Sequence, residues 1–143
     1  MLVRDIMTTD LTTLSEDEVL LDATLILARG GFRHIPILND KKLVGIVTDK
    51  DVKHYTPSIL SGIPPEEYNR LMATTPLSKI MTRNPITIEP GKTVYEAAQI
   101  LYDHRIGCLP VVEGGELKGI ITSTDMLNLL LKLLKEKSPG PRG

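Results

Sequence analysis

The chain has 143 residues, 41% of them apolar, and its 17 basic and 18 acidic side chains leave a formal charge of -1. That is enough apolar material for the core of one ordinary domain, and it excludes the electrostatic footprint of a nucleic-acid binder; one Phe, four Tyr and no Trp also leave little on which bases could stack. No stretch approaches the roughly 20 apolar residues of a bilayer span, the first ten residues carry acids where a secretory signal needs an apolar core, and the lone Cys108 has no internal disulfide partner, so the expected compartment is the reducing cytoplasm.

In chain order, VLLDATLILARGG has helical periodicity and a Gly-Gly stop; RHIPIL, NDKK and LVGIV then read as strand, turn and strand. Thr48 opens a further helix over residues 49–55, which Pro57 ends. The four-proline stretch 57–76 reads as a connector whose PEEYNRLMA makes a short helix. The pattern then returns: TVYEAAQILYDH as helix, GCLPVV, EGGE and LKGII as strand, turn and strand, and a last helix from Thr124 to about Glu136. Residues 138–143 have nothing to pack and read as a disordered tail.

Sliding the chain against itself by 74 positions aligns residues 3–55 with 77–129 without a gap, giving 13 identities over 53 positions. Ile6-Met7-Thr8 falls on Ile80-Met81-Thr82, Thr13 on Thr87, Pro36 on Pro110, Gly45-Ile46 on Gly119-Ile120, and Thr48 and Asp51 on Thr122 and Asp125. Two copies are too few for a solenoid, so each is expected to bury its apolar face against the other as a pseudo-two-fold pair. The expected layout is repeat 1 over 1–56, the connector over 57–76 and repeat 2 over 77–137, each with the order β-α-β-β-α.

Each copy ends its last apolar strand with Thr-x-x-Asp. One reading is a capping box, in which the threonine oxygen accepts from a first-turn N–H and the acid reaches back, stabilising the helix by about 1 kcal/mol. It accounts for the aspartate less well, because the reciprocal partner is usually the longer Glu or Gln. The other reading is a clasp: a threonine hydroxyl beside helix N–H groups for a phosphate, and a short carboxylate one turn inward for a ribose diol. Gly45 and Gly119, three residues before each threonine, would let a sugar or base approach the strand, or mark only a bulge or tight packing.

The joint pattern, IMT near the start of each copy, an Ala-bearing helix, HIPIL or CLPVV, then GIVTDKD or GIITSTD, resembles a tandem pair of CBS domains, a Bateman module, over residues 3–129. The resemblance implies an α/β (α+β) disc of two pseudo-symmetric β-α-β-β-α repeats. It also implies a regulatory function: binding of adenosine-containing ligands such as AMP, ADP, ATP or S-adenosylmethionine in the cleft between the repeats, with no catalytic cofactor and no bound metal. Two such discs commonly pair, so a homodimer and an unidentified regulated protein are the implied partners. Carried over by position, Thr48 and Asp51 would hold phosphate and ribose at one site, and Thr122 and Asp125 at the other. The adenine edge would be read by backbone near Ile35-Pro36 and Leu109-Pro110, and the strand after IMT would line each site near Thr12-Thr13 and Ile86-Thr87. Lys50, Lys53 and His54 would favour additional phosphates at the first site, with Asp49 opposing them.

Three other readings are open to these residues. Asp49-x-Asp51 resembles the nucleophile and acid of metal-dependent phosphatases, but the second copy has Ser123 where Asp49 stands. His34, His54, His104 and Cys108 have no zinc-ligand spacing, and packed side chains are the expected roles for His34 and Cys108. A ligand-free dimerisation or interaction module is the remaining alternative. MLNLLLKLLKEK is apolar on more than one face, which predicts either contact with another chain and homodimerisation or cover by the connector and the first repeat's helices within one chain.

Overall fold

The computed structural model describes residues 1–137; the tail expected over 138–143 lies outside them. Helices and strands run in the order α1 (Val3–Ile6), β1 (Leu14–Ser15), α2 (Leu20–Ala28), β2 (His34–Asn39), β3 (Lys42–Thr48), α3 (Asp49–Tyr55), α4 (Pro65–Thr74), α5 (Leu77–Ile80), β4 (Thr82–Arg83), α6 (Val94–His104), β5 (Cys108–Glu113), β6 (Glu116–Thr122) and α7 (Ser123–Lys137). This is the mixed α/β architecture expected, with α4 in the connector where PEEYNRLMA pointed.

Two compact units form, and they do not coincide with the sequence repeats: Thr12–Pro85 is one, while Met1–Leu11 joins the chain from Ile86 onward in the other. The start of each repeat therefore belongs to the core of its neighbour. Val3 is fully buried with Ala97, Leu101, Leu109, Val111 and Ile121, whereas Leu77 and Ile80 are buried with Leu20, Ile35, Ile37 and Val47.

The main-chain bonds repeat the exchange at the 74-residue offset. Val3 and Arg4 N–H donate to the Lys92 and Pro90 carbonyls (2.8 and 3.1 Å), and Leu77 and Ser78 donate to Glu18 and Glu16 (2.8 and 3.1 Å). Thr8 and Ile120 exchange both bonds at 2.8 and 2.9 Å, just as β4 pairs Thr82 with Ile46. Burying one such apolar anchor contributes about 1.5–3 kcal/mol, so each arm is held by its apolar side chain as well as its backbone.

In the Thr12–Pro85 unit, β1 runs parallel to β2 through the α2 crossover, β2 pairs antiparallel with β3, and β4 pairs with β3. The turn after β2 needs Asp40 at φ 54°, where a short polar side chain tolerates the left-handed conformation. In the other unit β5 pairs antiparallel with β6, and the first strand shrinks to one parallel bridge between Ile88 and Val111. Both hairpins carry a bulge, so that Ile37 faces Gly45 while Leu38 faces Leu43, and Val111 faces Gly119 while Val112 faces Leu117.

Gly45 and Gly119 serve the arms. A Cβ at Gly45 would lie 2.6 Å from Met81 Sδ and 2.9 Å from the Thr82 carbonyl oxygen; at Gly119 it would lie 2.8 Å from the Thr8 carbonyl oxygen and 2.9 Å from Met7 Sδ. Of the readings open for these glycines, the bulge and the tight packing are realised, and the space beside them is filled by Met-Thr.

Candidate functional site

Strand register gathers the sequence-selected residues at one end of the sheet in each unit. Thr48 is the last residue of β3 and faces His34, with Val47 opposite Ile35 and Ile46 opposite Pro36. β1 starts alongside, with Leu14 level with Ile37, so Thr12 and Thr13 lie just ahead of that strand. The other unit repeats this: Thr122 faces Cys108, Ile121 faces Leu109, Ile120 faces Pro110, and Ile86 and Thr87 precede the bridge at Ile88.

The prolines set where the parallel ladder stops. The Ile88 N–H donates to the Pro110 carbonyl at 3.0 Å, and the Val112 N–H donates to the Ile88 carbonyl at 2.9 Å. A strand residue points its N–H and C=O to the same side, so the next bond would run from Pro110 nitrogen to Ile86, and proline has no proton to give. The Pro110 carbonyl is thus already paired, and the open backbone is one step earlier, where Ile86 makes no hydrogen bond among the described residues. Pro36 and Pro110 are themselves fully buried.

At each strand-to-helix junction the capping box is formed. Asp51 Oδ2 accepts the Thr48 N–H at 2.9 Å and the Thr48 hydroxyl at 3.1 Å, while the Asp51 N–H donates to that hydroxyl at 3.3 Å. Asp125 Oδ2 accepts the Thr122 N–H at 2.8 Å, and the Asp125 N–H donates to Thr122 Oγ1 at 3.1 Å. The short carboxylate reaches as well as the longer one at Thr93, where Glu96 accepts the N–H at 2.9 Å. Asp5 and Asp22 do the same for Leu2 and Val19, at 2.8 and 3.0 Å. The objection that aspartate is too short to cap does not hold: the geometry of this backbone brings the N–H within its reach. In each Thr-x-x-Asp pair Oδ1 accepts no hydrogen bond among the described residues, and both carboxylates are half-buried.

Lys50 lies exposed on the first turn of α3. His54 is on the last turn, its ring edge-on to Tyr55 at 4.9 Å, so it is not brought to the junction. The strands supply groups that the motif alone did not single out. Burial lowers the pKa of the half-buried His34, Asp49 raises it in opposition, and Arg33 lowers it further. Cys108 is buried, and burial with the Asp125 charge pushes its thiol up to about 12, far from the thiolate a nucleophile needs. The signal for these two positions was their own alignment across the repeat.

Asp49 Oδ1 accepts the Lys50 N–H at 3.0 Å and Asp51 is tied to Thr48, so the acids of the phosphatase-like reading both act at the helix start. Among the described residues no group of three or more His, Cys, Asp or Glu is arranged to hold a metal ion, and no helix is long and apolar enough to cross a membrane. Two depressions open on the unit containing α6 and α7. One of about 660 Å³ is bordered by Asp103, Arg105, Gly107 and Ser123, beside Thr122. Another of about 520 Å³ includes Thr87 with Lys92, Tyr95 and Glu96.

The CBS domain matches the chain twice, at residues 3–58 and 77–132. The chain belongs to the CBS domain family. It is similar to a CBS domain-containing protein of Dictyostelium discoideum, with 35% identity over 96% of this chain and 97% of the relative. The CBS domain pair of protein MJ0100, solved in complex with 5′-methylthioadenosine and S-adenosyl-L-methionine, is similar at 29% identity and TM-score 0.76, covering 93% of this chain and 98% of that one. CBSX2, solved in complex with AMP, shares the fold at 24% identity and TM-score 0.76, covering 93% and 98%. Other curated relatives are longer: this chain spans 28% and 45% of two from Methanocaldococcus jannaschii.

Proposed function

We propose that this CBS pair is a regulatory module that binds an adenosine-containing ligand at its Thr-x-x-Asp junctions and performs no covalent chemistry. The observation that carries the reading is the half-buried carboxylate of each junction, which spends one oxygen on the helix start and keeps Oδ1 for a partner. A ribose offers two adjacent hydroxyl donors, and an ionised carboxylate accepts both. Thr48 and Thr122 hydroxyls, with Lys50 at the first junction, would face the 5′ substituent. The base would lie two strands away, at the interrupted ladder ahead of Thr13 and Thr87, beside Ile35-Pro36 and Leu109-Pro110. Strands are about 4.8 Å apart, so that separation is on the order of 10 Å, which suits a nucleoside monophosphate laid across the strand ends.

AMP, ADP, ATP, S-adenosylmethionine and 5′-methylthioadenosine are the ligands to consider; the complexes of MJ0100 and CBSX2 support the class. Binding would regulate a partner by shifting two arrangements of the protein, by no more than its differential affinity for them. The module would act in the cytoplasm and as a homodimer: α7 exposes Leu127, Leu130, Leu131 and Leu133 by 43% to 66%, a stripe suited to a second copy.

One observation favours a second reading, a ligand-free interaction module. The caps are complete in the protein alone, and Asp5 and Asp22 make the same bond at helix starts outside the motif. Thermal melting with each ligand separates the two. Ligand at 100 times its dissociation constant adds about 2.7 kcal/mol, or roughly 5–10 °C for a chain of this size. No shift with any of the five at millimolar concentration would overturn the adenosine reading.

A further inference from the structure

We propose that the two junctions divide adenosine ligands by charge: the Thr48–Asp51 junction takes a phosphorylated adenosine, and the Thr122–Asp125 junction takes one whose 5′ substituent carries no negative charge. This rests on the adenosine-binding reading above.

The backbone of the two junctions is equivalent, so the difference lies in the side chains that the register sets around each threonine. Opposite Thr48 stands His34, preceded by Arg33; opposite Thr122 stands Cys108, preceded by Gly107. Over segments 29–34 and 48–51 the chain carries Arg29, Arg33 and Lys50 against Asp49 and Asp51, a net charge of +1. Over the equivalent segments 103–108 and 122–125 it carries Arg105 against Asp103 and Asp125, a net charge of -1. Arg105 shares the border of its depression with Asp103, so its charge is partly offset there.

The half-buried His34 accepts a proton more readily when an anion arrives beside it, whereas buried Cys108 offers only a neutral thiol. Asp49, exposed on the first turn of α3, opposes the anion at the first junction but is outnumbered by the cations. At the second junction Ser123 and Thr124 replace Asp49 and Lys50, supplying hydroxyls without charge, and the carboxylate of Asp125 is left to repel a phosphate. The uncharged methylthio substituent of 5′-methylthioadenosine has no such repulsion. Two charges of difference at exposed positions, each shifting binding about threefold, predict a preference of roughly tenfold.

The test is calorimetric titration of the full chain at one salt concentration with AMP and with 5′-methylthioadenosine. Asp125→Ala leaves the first junction and should bind AMP roughly tenfold more tightly than 5′-methylthioadenosine; Asp51→Ala leaves the second and should prefer 5′-methylthioadenosine. Because each aspartate also caps a helix, the exposed pair provides an arm that leaves both caps intact: Arg33→Gly should weaken AMP several-fold and spare 5′-methylthioadenosine, and Gly107→Arg should bring AMP to the second junction. The same preference in both aspartate variants, or AMP affinity indifferent to Arg33→Gly and Gly107→Arg, would overturn the division while leaving adenosine binding intact. Failure of the unaltered chain to bind either ligand would overturn both.

Discussion

Replacing Gly119 by alanine tests the exchanged arm directly. The new Cβ would sit 2.8 Å from the Thr8 carbonyl oxygen, 2.9 Å from Met7 Sδ and 3.1 Å from Met7 Cγ. The Met7 side chain can swing away, but the Thr8 carbonyl accepts the Ile120 N–H at 2.9 Å and cannot retreat without losing that bond. Two responses are open. Lifting the arm forfeits at least four main-chain hydrogen bonds, those of Val3 and Arg4 and the pair between Thr8 and Ile120, about 1 kcal/mol each, together with the burial of Val3, about 1.5–3 kcal/mol. Keeping it in place costs an overpacking penalty of about 1–3 kcal/mol, which is the cheaper course. The expected fall in melting temperature is roughly 2–12 °C by calorimetry, with faster hydrogen exchange at the Thr8 and Ile120 amides. Gly114→Ala is the control, since nothing lies within 4 Å of its added Cβ; only its φ of 60° should cost about 1 kcal/mol, and the Thr8 amide should stay protected. A Gly119→Ala protein that melts like the parent with both amides protected would refute the packing assigned to this arm.

The Cys108 thiol, pushed up to about 12 from 9.0, is protonated in the fold where the unfolded chain has lost its proton; its contribution to stability is full below pH 9 and falls between 9 and 12, by about 1.4 kcal/mol per pH unit. Urea midpoints across that range should show the fall, and Cys108→Ala should remove it. Thr93→Ala and Thr48→Ala should each lose about 1 kcal/mol of capping in thermal melts, but only Thr48→Ala should also weaken AMP in titration. Leu127→Lys with Leu131→Lys, at side chains 60% and 66% exposed, should leave the melting temperature nearly unchanged while light scattering reports a monomer in place of a dimer.

The duplication, the hairpins and both Thr-x-x-Asp junctions were legible because each is local: periodicity, turn residues and a fixed 74-residue offset carry them. Which core receives each arm was not. Val3 and Leu77 occupy equivalent positions, and both glycine-notched hairpins accept the same Ile-Met-Thr, so nothing along one dimension distinguishes an arm packed on its own repeat from one packed on the other. The length of the first strand was not legible either. Proline withholds the N–H needed to extend the ladder, which leaves two residues in β1 and a single bridge at Ile88. His34 and Cys108 were visible as an aligned pair but looked like packing, because their place opposite each threonine depends on a register that a bulge in each hairpin shifts.

A crystal structure of the chain grown with excess AMP and 5′-methylthioadenosine tests the central claim most directly. Ribose O2′ and O3′ are expected within hydrogen-bond distance of Asp51 or Asp125 Oδ1, with the base beside the interrupted ladder ahead of Thr13 or Thr87. Electron density for the ligand away from both junctions, or junctions that stay empty at saturating ligand, would contradict it.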